Sequence, residues 1–312
     1  MLLLHIADVD EAHWAQAFRE ALAPYPVVRR GDKFDPADVR YIFAWKPAPD
    51  AFDGLTNLKA VLSLGAGVDA LLKHPNLPDA PLVRFVDDDL TQKMTDYVVA
   101  NVAMHHRSFT RFRADQKAHA WNQFYPPAAS ASTVGIMGLG VLGQDAAKRL
   151  LALGYTVRSW SRTPKSMADV TSFVGDAVFD EFLAGTDILV NLLPLTPQTA
   201  GILNYDNFRK LRRDRLKDGP VIVNAARGGH QREADIVKAL GDGTLGAASL
   251  DVFEVEPLPA SSPLWDIENC YITPHIAAIS NEQSGVNYFA PIIRAHELGK
   301  PLINVVDRAR GY

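Results

Sequence analysis

The sequence predicts an α/β protein of two domains, a larger doubly wound parallel sheet and a smaller α/β domain, and three observations predict it. The chain has 312 residues, more than one core usually serves, since domains cluster around ~100–200 residues. Short apolar runs alternate with helical patterns through the first hundred residues, and strands separated by helices pair in parallel. A second, stronger series of the same kind starts at Ser132 and extends to about residue 285.

Taken in order, Leu2–Ile6 reads as a strand, Glu11–Leu22 as a helix, and Tyr41–Trp45 and Ala60–Leu64 as further strands. Asp87-Asp88-Asp89 reads as a solvated turn, with a spacing that fits no metal site. From Thr91 to about His106, Met94, Val98 and Val102 recur on one helical face together with His105. Pro126 and Pro127, just after Trp121, stop any continuing helix because proline has no N–H to donate. Thr133–Met137 is then a buried strand, followed by glycines and a helix through Leu153. Thr156–Trp160, Ile188–Leu193, Val221–Asn224 and Ala247–Leu250 continue the series, and Tyr271–Pro274 closes it. The tail from about Asn281 opens with a helix and ends in polar residues.

Composition excludes several function classes. A formal net charge of −4 gives no electrostatic reason to expect nucleic acid or an anionic membrane as partner. The single cysteine, Cys270, forbids an intrachain disulfide and fits a reducing cytoplasm; its setting predicts a small buried side chain. Met1–Ile6 lacks the basic flank and long apolar core of a secretion signal, and no apolar run approaches the ~18–20 residues that span a bilayer.

Gly138-Leu139-Gly140-Val141-Leu142-Gly143 matches G-x-G-x-x-G, a weak signal alone. Here it follows a strand and opens a helix whose apolar residues fall at Leu142, Ala146, Ala147, Leu150 and Leu151, the context that makes it a dinucleotide turn. Gly138 permits the tight turn, Gly140 lets backbone N–H groups approach a pyrophosphate, and Gly143 lets helix and strand pack closely. NAD enzymes usually carry Asp or Glu at the end of the next strand, to bind the ribose 2′-hydroxyl. This chain has Ser161-Arg162-Thr163-Pro164-Lys165 instead. Arg162 can pair with a 2′-phosphate, Ser161 and Thr163 can donate to it, and Lys165 adds a second cation. The predicted cofactor is therefore NADP(H), with NAD(H) also possible.

Three later segments place chemistry after strands: Asn224-Ala225-Ala226-Arg227-Gly228-Gly229, Asp251-Val252-Phe253-Glu254-Val255-Glu256-Pro257 and Thr273-Pro274-His275. In an open parallel sheet the carboxyl ends of the strands border the ligand crevice, so residues distant in sequence can converge there.

With these motifs and Leu64-Gly65-Ala66-Gly67-Val68-Asp69 and Asp307–Tyr312, the chain resembles the D-isomer-specific 2-hydroxyacid dehydrogenase family. Within it the similarity is to the glyoxylate/hydroxypyruvate reductase A branch, over essentially the whole chain. The resemblance implies a Rossmann-type domain over residues 99–285, binding the dinucleotide. It also implies a flavodoxin-like substrate domain over 1–98 and 286–312, with a cleft between the two. It implies that Arg227 clamps the substrate carboxylate and polarises the carbonyl, and that His275 is the general acid. Glu256, rather than Glu254, should bond to His275 and favour its protonated form. Asp251 should hold the nicotinamide carboxamide, and the Leu193–Pro197 loop, through Pro194, should line the cofactor. The Ala66 and Gly67 amides should hold the substrate carboxylate while Trp45 walls the pocket. Members of the branch are usually homodimers, and the Thr91–His106 helix is a candidate contact.

The substrate expected is a small 2-oxo acid, glyoxylate or hydroxypyruvate. Ala277-Ala278-Ile279 stands where the wider family has a bulkier residue, which argues against bulky-substrate members, as does the lack of a regulatory extension past residue 312. Two other functions remain open at this point. One is a dehydrogenase of another 2-hydroxy acid, of the D-lactate or phosphoglycerate type. The other is a non-catalytic NAD(P)-sensing protein like the corepressor relatives, against which the Arg227–Glu256–His275 set weighs.

Overall fold

The computed structural model describes residues 1–311; Tyr312, which closes the last of the motifs above, lies outside them. In chain order the elements are β1 (Leu2–Ile6), α1 (Glu11–Leu22), β2 (Val27–Arg29), β3 (Tyr41–Trp45), β4 (Ala60–Ser63), α2 (Asp69–Leu72), β5 (Leu82–Val83), α3 (Asp88–His106) and α4 (Phe109–Lys117). Then follow β6 (Thr133–Met137), α5 (Val141–Ala152), β7 (Thr156–Ser161), β8 (Val170–Val174), α6 (Phe179–Ala184), β9 (Ile188–Asn191) and α7 (Tyr205–Phe208). The last are β10 (Val221–Asn224), α8 (Glu233–Gly241), β11 (Ala247–Leu250), β12 (Cys270–Ile272) and α9 (Glu282–Glu297). The chain divides into two compact units, Met1–Leu90 with the chain from Ile279 onward, and Thr91–Ala278. The joins fall eight and seven residues before those expected from the sequence, the first inside α3, which starts in one unit and continues into the other, and the second in the loop between β12 and α9.

The smaller unit holds a five-stranded parallel sheet in the order β2-β1-β3-β4-β5, the flavodoxin-like arrangement. Alternation along β3 sends Ile42 and Ala44 to one face, with Leu3, Val61 and Phe52. Phe43 goes to the other, where it meets Trp14 and Phe18 of α1 and Phe289 of α9. A methyl on Gly285 would lie 2.6 Å from the Trp14 ring, so α9 packs on α1 only because a glycine stands there. Asp10 caps α1, and Asn281 caps α9.

The larger unit holds a seven-stranded sheet in the order β12-β11-β10-β9-β6-β7-β8, all parallel. One face packs Val134, Ile136, Val157, Val190 and Val223 against Met94, Val98 and Val102 of α3 and Ala146, Ala147 and Leu150 of α5. The other packs Leu189, Ile222 and Leu250 against Phe182 of α6 and Ile236 and Leu240 of α8. Both faces are covered, which is why the strands read as continuous apolar runs.

Several expectations need correction. Asp88 and Asp89 are not a solvated turn but the first turn of α3; Asp87 Oδ2 accepts the Leu90 amide at 3.1 Å and Asp89 Oδ2 accepts Asn281 Nδ2 at 2.6 Å. The apolar face of α3, with Met94, Val98 and Val102, is taken up by its own unit's core. Cys270 is half-buried, at the start of β12. The edge strands β2, β5 and β8 went unread because they are short or show one polar face, and α4 because it buries no residue. Among the described residues no helix is long and apolar enough to cross a membrane.

Candidate active site

The glycine turn connects β6 to α5 where the strand order reverses, since β6 has β7 on one side and β9 on the other. Gly138 sits at φ +99° with Leu192 O only 2.8 Å from where a Cβ would stand. At Gly143 a Cβ would run into the Gly138 carbonyl, so α5 crosses the turn at backbone contact. Gly140 is different: nothing lies within 4 Å of its Cβ position, and it begins α5 without any side-chain cap. The first amides of a helix have no intrahelical partner and carry partial positive charge. Open space in front of uncapped amides fits a pyrophosphate.

At the end of β7, Ser161 is buried and donates its hydroxyl to Thr163 O at 2.7 Å, so it shapes the turn. Arg162 Nη1 donates to Gln198 Oε1 at 3.0 Å, a partner that sequence reading missed because Gln198 lies in the loop after β9. That loop is closed by Thr199, which accepts the Thr196 amide and donates to Pro194 O. Lys165 is exposed and Thr163 half-buried. The cations at this strand end fit a phosphate.

Arg227, Glu256 and His275 follow β10, β11 and β12, neighbouring strands. Glu256 Oε2 lies 2.8 Å from His275 Nδ1, and Glu256 Oε1 accepts the Phe253 amide at 3.0 Å. Burial pushes the Glu256 carboxyl up, but the bonds from His275 and Phe253 and the charges of His275 and Arg227 more than reverse this, leaving it below its ordinary value. Because Glu256 takes Nδ1, Nε2 is the ring nitrogen left to face a ligand. Glu254 is engaged elsewhere; it accepts the Glu233 amide, and its own amide donates to Glu233. Gly228 has no room for a Cβ against the Phe253 carbonyl, so the Arg227 turn abuts the loop that carries Glu256. Asn224, buried at the end of β10, bonds Asn191, Gln231 and the Arg227 carbonyl and fixes that turn from behind.

His275 adopts the left-handed region at φ +55°, which costs a non-glycine residue roughly 1–2 kcal/mol. Most of the bonds that hold it there come from Asp251, 1% exposed. The Asp251 carbonyl accepts the His275 amide at 2.8 Å; its carboxylate accepts the Ile276 and Ala277 amides, both at 2.9 Å, and the Thr273 hydroxyl at 2.6 Å. Burial raises the Asp251 carboxyl above its usual value, and these donors oppose the rise.

In the smaller unit, Trp45 ends β3 and the Gly65-Ala66-Gly67 turn follows the adjacent β4. A Cβ on Gly65 would touch the Trp45 ring at 2.5 Å, so ring and turn lie against each other, and Ser63 Oγ donates to Gly65 O at 2.9 Å. Ala66 and Gly67 are half-buried. A groove of about 530 Å³ in the larger unit, lined by His105, Asn269 and Tyr271, opens at the amino ends of β10–β12, the opposite end of those strands from Arg227, Glu256 and His275. Among the described residues no group of three or more His, Cys, Asp or Glu could hold a metal ion.

The model of the D-isomer specific 2-hydroxyacid dehydrogenase NAD-binding domain matches residues 99–277, more than half of the chain. The chain belongs to this family. Its matched span contains the glycine turn together with Arg227, Glu256 and His275. Glyoxylate/hydroxypyruvate reductase A of Salmonella newport is 42% identical over 100% of this chain and 99% of its own. A solved probable 2-hydroxyacid dehydrogenase from Rhizobium etli, in complex with NADP, HEPES and L(+)-tartaric acid, is 44% identical with a TM-score of 0.93, covering 100% of this chain and 99% of that one. The NADPH-dependent glyoxylate/hydroxypyruvate reductase of Sinorhizobium meliloti, in complex with NADP and sulfate, is 43% identical with a TM-score of 0.92 and the same coverage.

Proposed function

We propose that this chain is an NADPH-dependent reductase of small 2-oxo acids, converting glyoxylate to glycolate and hydroxypyruvate to D-glycerate. The observation that carries the reading is the 2.8 Å contact between His275 and Glu256, at the strand ends of the sheet that also bears the glycine turn. The names of the relatives above support it.

The backbone from Gly138 through Gly140, Val141, Leu142 and Gly143 takes the pyrophosphate, and Arg162 with Thr163 and Lys165 takes the 2′-phosphate. NAD(H) lacks that phosphate and binds less well. Pro194 lines the cofactor, and Asp251 is assigned to the carboxamide. When bound, the reduced nicotinamide supplies hydride to the 2-oxo carbon. Arg227 binds the substrate carboxylate and draws charge toward the carbonyl oxygen. His275 Nε2 delivers a proton to that oxygen, completing the hydroxyl, while Glu256 holds the imidazole through Nδ1. From the smaller unit, Trp45 and the Ala66 and Gly67 amides are the substrate-binding groups. Ala277 and Ala278 put small side chains after His275, which suits a short acid. The enzyme works in the cytoplasm as a homodimer, and exposed Phe109, Trp121 and Tyr125 are the aromatic groups a second copy would cover; light scattering on Trp121→Ala tests that pairing.

The test is the loss of reduced-nicotinamide absorbance with NADPH or NADH across a panel of 2-oxo acids. Turnover of glyoxylate and hydroxypyruvate, abolished in His275→Ala with NADPH binding retained, is the expected result. Turnover that survives His275→Ala overturns it.

A further inference from the structure

Tyr97, on α3, has no part in the mechanism above, yet its hydroxyl lies 2.9 Å from Thr273 Oγ1. Thr273 in turn donates to Asp251 Oδ1 at 2.6 Å. A carboxylate only accepts, and a threonine hydroxyl has one proton to give. The directions are therefore fixed: Tyr97 donates to Thr273, and Thr273 donates to Asp251. The same Asp251 oxygen accepts the Ile276 amide, its other oxygen the Ala277 amide, and its carbonyl the His275 amide. The turn on which His275 stands is thus tied chiefly to one buried residue, with a further bond from the His275 amide to Thr273 O at 3.0 Å. Among the described residues, the side-chain support of that carboxylate comes from this chain of hydroxyls.

We infer that Tyr97 and Thr273 are positioning residues for His275, acting through Asp251. This rests on the reading of His275 as the proton donor. Asp251 is buried, so each donor it keeps offsets part of the cost of holding its charge away from water. Linked hydrogen bonds polarise one another, so the tyrosine hydroxyl strengthens the bond that Thr273 makes. Without them the carboxylate turns toward other donors, and the turn loses what holds His275 at positive φ. The consequence falls on the placement of Nε2 relative to the carbonyl oxygen, a quantity felt in the chemical step more than in cofactor binding.

The experiment compares Tyr97→Phe, Thr273→Val and Thr273→Ser with the full-length parent, measuring kcat, KM, NADPH affinity by fluorescence titration and thermal stability. Loss of one such bond is expected to lower kcat about fivefold in Tyr97→Phe and about tenfold in Thr273→Val. The fall in kcat exceeds any fall in NADPH affinity, which Asp251 also serves through the carboxamide, and Thr273→Ser, which keeps the hydroxyl, recovers most of the rate. The double variant Tyr97→Phe/Thr273→Val is no slower than Thr273→Val, because the two act in series. Unchanged kcat in both single variants overturns the inference, as does a loss confined to NADPH affinity or additive losses in the double variant. If His275→Ala abolishes turnover while Tyr97→Phe leaves kcat intact, the relay fails and the reading of His275 stands. If His275→Ala stays active, that reading is the one that falls.

Discussion

The three glycines of the cofactor turn fill one sequence motif for different physical reasons, and alanine at two of them separates those reasons. At Gly143 the added methyl overlaps the Gly138 carbonyl oxygen and sits 3.1 Å from its carbon and 3.5 Å from Ile136 Cγ2. The neighbour is backbone and cannot rotate away, so α5 or the turn has to shift. Overpacking of this kind costs typically ~1–3 kcal/mol. At Gly140 the same methyl meets nothing within 4 Å, and the residue is extended, at φ −80° and ψ −161°, where alanine is unstrained. Alanine there should leave the fold unchanged or stabilise it by about 0.4–1 kcal/mol, through the lower entropy of the unfolded chain. The space the methyl enters is the space assigned to the pyrophosphate, so NADPH affinity should drop at least about tenfold, or ~1.4 kcal/mol. Urea unfolding and fluorescence titration on both variants measure the two quantities separately. Gly143→Ala should lose stability and affinity, and Gly140→Ala affinity alone. Wild-type NADPH binding by Gly140→Ala, or equal destabilisation of both variants, would refute the assignment of that space.

Replacing Arg162 with Asp removes a charge-assisted contact worth about 1.5–3 kcal/mol and adds repulsion, so NADPH affinity should fall about tenfold or more while NADH affinity hardly changes; equal losses for both cofactors count against the 2′-phosphate contact. Glu256→Gln keeps the shape but removes the charge beside His275, and should lower kcat about tenfold or more with NADPH affinity intact; rates equal to the parent would remove Glu256 from the mechanism. Burial lowers the pKa of His105 from 6.5 to about 4. Because the folded value lies below the unfolded one, the unfolded chain binds more protons between them, and stability is lost as pH falls through that window. The loss amounts to about 2 kcal/mol near pH 5 and about 3 kcal/mol below both values. His105→Gln should flatten the pH dependence of the unfolding free energy by that amount, and an unchanged slope would contradict the burial argument. Burial also pushes the Cys270 thiol up to about 12, so thiol-specific reagents at neutral pH should leave activity untouched; rapid inactivation would show otherwise.

Sequence alone determined what depends on local chemistry. Continuous short apolar runs marked the central strands β1, β3, β6, β10 and β11 because both faces of a parallel sheet are covered. Gly138 and Gly143 were legible because the backbone there leaves no room for a side chain, Gly140 because it completes the motif at the place assigned to the pyrophosphate, and Ser161-Arg162-Thr163 because a cation stands where a carboxylate is usual. The tertiary structure decided what depends on distance. It selected Glu256 over Glu254, since only the former reaches His275 while the latter bonds Glu233. It joined Arg162 to Gln198 and Tyr97 to Thr273, pairs 36 and 176 residues apart, which no spacing rule connects. It also turned Asp251 toward the backbone beneath His275, and took the apolar face of α3 into the core. A motif records what one stretch of chain must be; which groups meet is fixed only when the strand order brings the ends of β10, β11 and β12 side by side.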